Sequence, residues 1–111
     1  MIRVIVERNR DSHRVENFTI KGHAFHGDPG EDIVCAAVSA VSIGIVNSIQ
    51  KLVGVQLPAT MDSGWLSSYI PAQADCRAEE KVQLLLEAML TTLSSIAHTY
   101  SKHVSIKEKF R

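Results

Sequence analysis

A chain of 111 residues can bury one hydrophobic core but cannot build two lobes with a cleft between them, so any substrate groove is shallow or shared with a second copy. Twelve Lys and Arg balance twelve Asp and Glu, which leaves no basic field to hold nucleic acid, and 5% aromatic residues argue against base-stacking platforms. The two cysteines, Cys35 and Cys76, are too few for a disulfide scaffold and form no CxxC pair, which reads as two free thiols in a reducing compartment.

Ile2, Val4 and Val6 alternate with Arg3, Ile5 and Glu7, the period-two pattern of a strand with one buried face. A polar turn over Asn9 to His13 leads to Val15, Phe18 and Ile20, a second strand that pairs with the first as a hairpin. After a glycine-rich loop, Val34, Val38, Val41, Ile45, Ile49 and Leu52 recur at spacings of three and four, one stripe of a helix that stops at Gly54. Small residues at Ala36, Ala37, Ala40 and Gly44 admit a close neighbour. Val55 to Met61 reads as an extended edge segment because it contains Pro58, and Asp62-Ser63-Gly64 is the turn into a returning strand over Trp65, Leu66, Tyr69 and Ile70. Those aromatic and aliphatic residues suit core or dimer contacts. Val82, Leu85, Leu86, Met89, Leu93, Ile96 and Tyr100 predict a second amphipathic helix from about Arg77, and Val104 with Ile106 a closing strand.

The order is therefore ββαββαβ, one domain over residues 1–111, expected as an α/β two-layer sandwich of the α+β type. Its sheet is mostly antiparallel and both helices cover one face. No apolar run approaches the roughly 18 residues of a membrane span, and the opening MIRVIVERNR lacks the long apolar segment of a signal peptide. No membrane association and a cytoplasmic location are the expectations.

Chemistry concentrates between Gly22 and Ser39. Three of the chain's six glycines, Gly22, Gly27 and Gly30, lie in a loop that runs into the first helix, and they supply backbone freedom for a lid over residues 22–31. With Asp32 as N-cap, Cys35 occupies the third helical position, where unpaired N–H groups and the positive helix end favour a thiolate and could also receive an oxyanion. His23, at the end of a strand and across the loop, is placed to act as its base, which makes a Cys-His dyad. From spacing alone the same residues also read as a small buried thiol and a hydrogen-bonded loop histidine. Drawn differently, His23, His26, Asp32 and Cys35 are all zinc-ligand types, but a metal would occupy the thiolate that catalysis needs. Cys76 precedes a helix without a nearby histidine in the sequence and reads as structural.

The run Gly22-His23-Ala24, then Gly30, then Asp32-Ile33-Val34-Cys35-Ala36-Ala37-Val38-Ser39 resembles the signature of the ribosomal-processing cysteine proteases, the Prp family. The resemblance extends over essentially the whole chain. It implies an endopeptidase, without a cofactor, that removes the N-terminal extension of the twenty-seventh large-subunit ribosomal protein, cutting after a hydrophobic, Phe-containing segment. It also implies Cys35 as nucleophile, His23 as base and later acid, and a homodimer. Asp32 and Ser39 belong to the same motif, either as supporting groups or as a helix cap and a local hydrogen-bonding serine. The rival readings are a non-catalytic ribosome-assembly module and a thiol redox protein, the latter disfavoured by the lack of CxxC.

Overall fold

The computed structural model describes residues 1–25, 27–28 and 32–111. Its elements follow the expected order: β1 (Ile2–Arg8), β2 (Val15–Lys21), α1 (Ile33–Val53), β3 (Thr60–Asp62), β4 (Trp65–Tyr69), α2 (Cys76–Thr99) and β5 (Val104–Phe110). The strands form one mixed sheet in the order β3-β4-β2-β1-β5. Three neighbouring pairs are antiparallel, and β5 runs parallel to β1 because α2 carries the chain back across the sheet before the last strand.

The period of two in β1 decides which face is covered. Ile2, Val4 and Val6 point inward opposite Val104, Ile106 and Glu108 of β5, while Val4 and Val6 also oppose Ile20 and Phe18 of β2. Val4, Val6 and Phe18 are fully buried, and they join Val34, Val38 and Ile49 of α1 and Val82, Leu86, Met89 and Leu93 of α2 in one core. Each such side chain contributes roughly 1.5–3 kcal/mol by burial. Opposite positions such as Arg3, Glu7, Thr19, Lys21 and Ser67 face outward, so the uncovered sheet face is largely polar.

Several expectations change in detail. The segment from Val55 is no strand until Thr60, because the Ala59 N–H bonds back to the Leu57 carbonyl at 2.8 Å and closes a tight turn around Pro58. Trp65 and Tyr69 are exposed on the outer face while Leu66 is buried. Helix α2 begins at Cys76, with Asp75 as its N-cap. Helix α1 ends where expected, at a left-handed Gly54 whose N–H reaches the Gln50 carbonyl. A Cβ at Gly44 would meet nothing within 4 Å and Ala36 and Ala40 are exposed, so among the described residues none packs closely at these three positions. The 21 residues of α1, with mean hydropathy of 1.8, are long and apolar enough to cross a membrane by length and composition, contrary to the sequence expectation. Its serines are spaced among aliphatic residues and do not interrupt the run.

Candidate active site

The site lies at the end of the sheet where β1 starts and β2 finishes. After Lys21 the chain turns sharply at Gly22, in the left-handed region at φ 96°, and its N–H donates to the Gly64 carbonyl at 2.9 Å. A Cβ on Gly22 would overlap the Met1 carbonyl oxygen, so this glycine answers a close backbone approach. His23 follows, and its ring lies over the turn between β3 and β4: a Cβ built on Gly64 would stand 2.7 Å from Nε2. The His23 and Phe25 rings lie 6.0 Å apart, tilted.

Cys35 comes from the other side. The Asp32 carboxylate accepts from the N–H groups of Val34 and Cys35, both at 3.0 Å, and its carbonyl accepts from Ala36 N–H at 3.0 Å. Asp32 is therefore the N-cap expected, with its extended backbone at φ −77° and ψ 104°. The same bonds correct one expectation, because the N–H groups of Val34, Cys35 and Ala36 are committed to the cap and do not stand ready for an oxyanion. Another donor reaches the sulfur: Ala24 N–H donates to Cys35 Sγ at 3.3 Å. The half-buried thiol is thus tied to the residue next to His23.

His23 and Cys35 both line two adjoining depressions. One, of about 340 Å³, has an apolar floor of Ile2, Ile20, Val38, Ile43 and Leu66 and a rim of Met61, Ser63 and Trp65. The other, of about 560 Å³, is bounded by Phe25, Gly27, Asp32 and Ala36. Ser39 and Ser63 line both, and Ser39 is exposed one turn after Cys35. His26 and Gly30 lie outside the described residues, as does part of the loop read as a lid. No group of three or more His, Cys, Asp and Glu side chains able to hold a metal occurs among the described residues. Cys76 is exposed at the start of α2 and lines neither depression. Ser63, Gly64 and His103, whose Nδ1 lies 2.8 Å from the Ala24 carbonyl, were given no place in the site by sequence reasoning. Only the Asp62-Ser63-Gly64 turn left a local signal, and nothing near His103 in sequence points to the site.

A thiol and an imidazole bordering one open cleft, on a two-layer α+β scaffold, belong to the class of cysteine proteases, and comparison with known proteins gives the same class. The sequence model of a family described as Cysteine protease Prp matches residues 1–105, and the chain belongs to that family. It is 33% identical over 108 residues to the ribosomal processing cysteine protease Prp of Bacillus subtilis (strain 168), covering 96% of each chain. To the protein of the same name from Staphylococcus aureus (strain Mu50 / ATCC 700699) it is 35% identical over 109 residues, covering 98% of this chain and 100% of the other. Its fold matches a crystal structure of the essential ribosomal processing protease Prp from S. aureus, in complex with a covalently linked product peptide, with a TM-score of 0.87 at 33% identity, covering 98% and 100% of the two chains. A second structure of that protease, with a substrate peptide, matches with a TM-score of 0.81 at 32% identity and the same coverage.

Proposed function

We propose that this cysteine protease removes the N-terminal extension of the twenty-seventh large-subunit ribosomal protein, with Cys35 as nucleophile and His23 as its base. The observation that carries the assignment is that both residues line both depressions, so a peptide lying across them passes the sulfur and the imidazole. The apolar floor suits the hydrophobic, Phe-containing segment before the scissile bond. Relatives named for ribosomal processing, one of them bound to a substrate peptide, support the substrate class.

The Cys35 sulfur attacks the scissile carbonyl carbon, and His23 takes the thiol proton and returns it to the departing amine. Water then cleaves the thioester, with His23 accepting its proton, and releases the acid product. Asp32 supports the step by capping α1 and so fixing the backbone under Cys35. Ser39, exposed beside the sulfur, offers a hydroxyl to the peptide. No cofactor takes part. The working location is the cytoplasm and the working form a homodimer. Nucleic acid is not a direct partner, given the balanced charge.

Mass spectrometry of the ribosomal-protein precursor incubated with the chain tests the proposal and maps the scissile bond. One cut after the hydrophobic segment, lost in Cys35→Ala, is the expected result. An intact precursor would reject the substrate, and undiminished cleavage by Cys35→Ala would reject the nucleophile. Sedimentation at micromolar concentration is expected to report a dimer of the 12.2 kDa chain.

A further inference from the structure

We infer that His103 is a positioning residue of this protease: it holds Ala24 so that the Ala24 N–H stays aimed at the Cys35 sulfur. The inference rests on Cys35 being the nucleophile. With the N–H groups of Val34, Cys35 and Ala36 committed to Asp32, the donor to the sulfur among the described residues is Ala24 N–H, at 3.3 Å. A donor there fixes where the sulfur sits and bonds it as it attacks.

What keeps that donor in place is not local. Ala24 is followed by Phe25 in the left-handed region at φ 56°, a conformation that costs an aromatic residue energy, and the Phe25 side chain is 78% exposed with the His23 ring 6.0 Å away. The segment is held at Ala24 itself, by burial of its methyl group to 2% exposure and by the 2.8 Å contact from His103 Nδ1 to its carbonyl oxygen. Because a carbonyl only accepts, Nδ1 carries the proton. His103 is in turn fixed to the sheet, since its carbonyl accepts from Ile2 N–H at 2.8 Å and its own N–H donates to the Tyr100 carbonyl at 2.8 Å. The junction of α2 and β5 thereby reaches the sulfur through two hydrogen bonds on one alanine. His23, the preceding residue, shares the same anchor.

The test compares His103→Phe and His103→Leu, which lack a donor, with His103→Asn, whose amide N–H can occupy nearly the Nδ1 position. All are made in a Cys76→Ala background so that Cys35 is the one thiol. Two assays are run: kcat and KM on a peptide spanning the processing site, and the rate of Cys35 alkylation by iodoacetamide, which needs no substrate. The donor-less variants are expected to lose about 10- to 100-fold in kcat, the scale of a misplaced catalytic group. Their alkylation is expected to slow in parallel, with KM little changed, and His103→Asn is expected to recover most of both. Donor-less variants that cleave and alkylate at the parental rate would overturn the inference, as would a folded Asn variant as slow as Leu. Should the donor-less variants fail to fold, the Asn variant alone decides by its alkylation rate. Cleavage surviving Cys35→Ala would instead remove the nucleophile assignment, so the two failures are distinguishable.

Discussion

The two ends of the sheet carry the same local device and put it to different uses. At each, an aspartate caps a helix whose first turn holds a cysteine: Asp32 with Cys35 at one end, Asp75 with Cys76 at the other. Around Asp75 the layers are stitched shut. Arg8, on the inner face of β1, holds Glu87 of α2 through two bonds of 2.7 Å and Glu108 of β5 at 2.9 Å, while Arg14 grips Glu79 at 2.6 Å and the Ile70 carbonyl at 3.0 Å. Gln83 closes the start of β2 by pairing with both backbone groups of Val15. The ion pairs seen among the described residues all lie at that end. Around Asp32 the layers part instead into the two depressions, where the sulfur accepts from Ala24 N–H and shares the lining with His23. The two capped cysteines therefore differ in their surroundings: Cys35 borders the depressions and Cys76 does not.

Removing each thiol in turn separates the two ends most strongly. Cys35→Ala is expected to abolish cleavage to background while Cys76→Ala keeps the parental rate, measured by product formation from the precursor peptide. Next in size, His23→Ala should lower kcat by about 10²–10⁴-fold, the usual worth of general-base catalysis, with the melting temperature nearly unchanged because the ring is exposed. Near-normal turnover in that variant would take His23 out of the mechanism.

At the closed end the expected effect is on stability alone. Arg8→Leu should destabilise by about 1–3 kcal/mol in urea unfolding, at the low end of that range because the Glu87 side chain is 46% exposed and remains solvated without its partner. Its kcat is expected to match the parent; a fall would mean that the two ends are coupled. Smaller still are the caps. Asp32→Ala and Asp75→Ala should each cost about 0.5–2 kcal/mol, the former more because its carboxylate serves two N–H groups against one, and only the former should slow cleavage.

The ion pairs also set an acid limit. Hydrogen bonding to Arg14 holds the Glu79 carboxyl below its ordinary range, and Arg8 does the same to Glu87. Both groups are more acidic folded than unfolded, so their stabilisation is complete above the unfolded carboxylate value of about 4.3 and fades as pH falls through the lowered folded values. The Arg8 guanidinium, raised by the same partners, stays charged throughout. Urea midpoints are expected to be flat from about pH 7 to pH 5 and to drop below about pH 4.5. In Glu87→Gln that drop should be shallower.

Much of this molecule is local in origin and so was legible in the chain. Alternation in β1, the three-and-four spacing of α1 and α2, and the caps at Asp32 and Gly54 each depend on residues within a few positions of one another. The Gly22-His23-Ala24 and Asp32-to-Ser39 runs pointed to the candidate site through the family resemblance, and both border the depressions. Edge strands were less legible, since β3 has no face of its own to bury and the Leu57–Ala59 turn overrode its extended pattern.

Tertiary structure alone decided the rest. That β5 runs parallel beside β1 depends on the route of α2, and only that route brings His103 to Ala24, 79 residues away in sequence. The Gly64 face beneath His23 likewise arises from pairing β3 and β4 beside β2, through a contact that leaves no periodic trace. Sequence by itself determined which elements form and where their ends lie, because capping and periodicity act over one or two turns. Which hydrogen bonds their residues make, and which end of the sheet stays open, followed from contacts between residues far apart in the chain, where spacing holds no information.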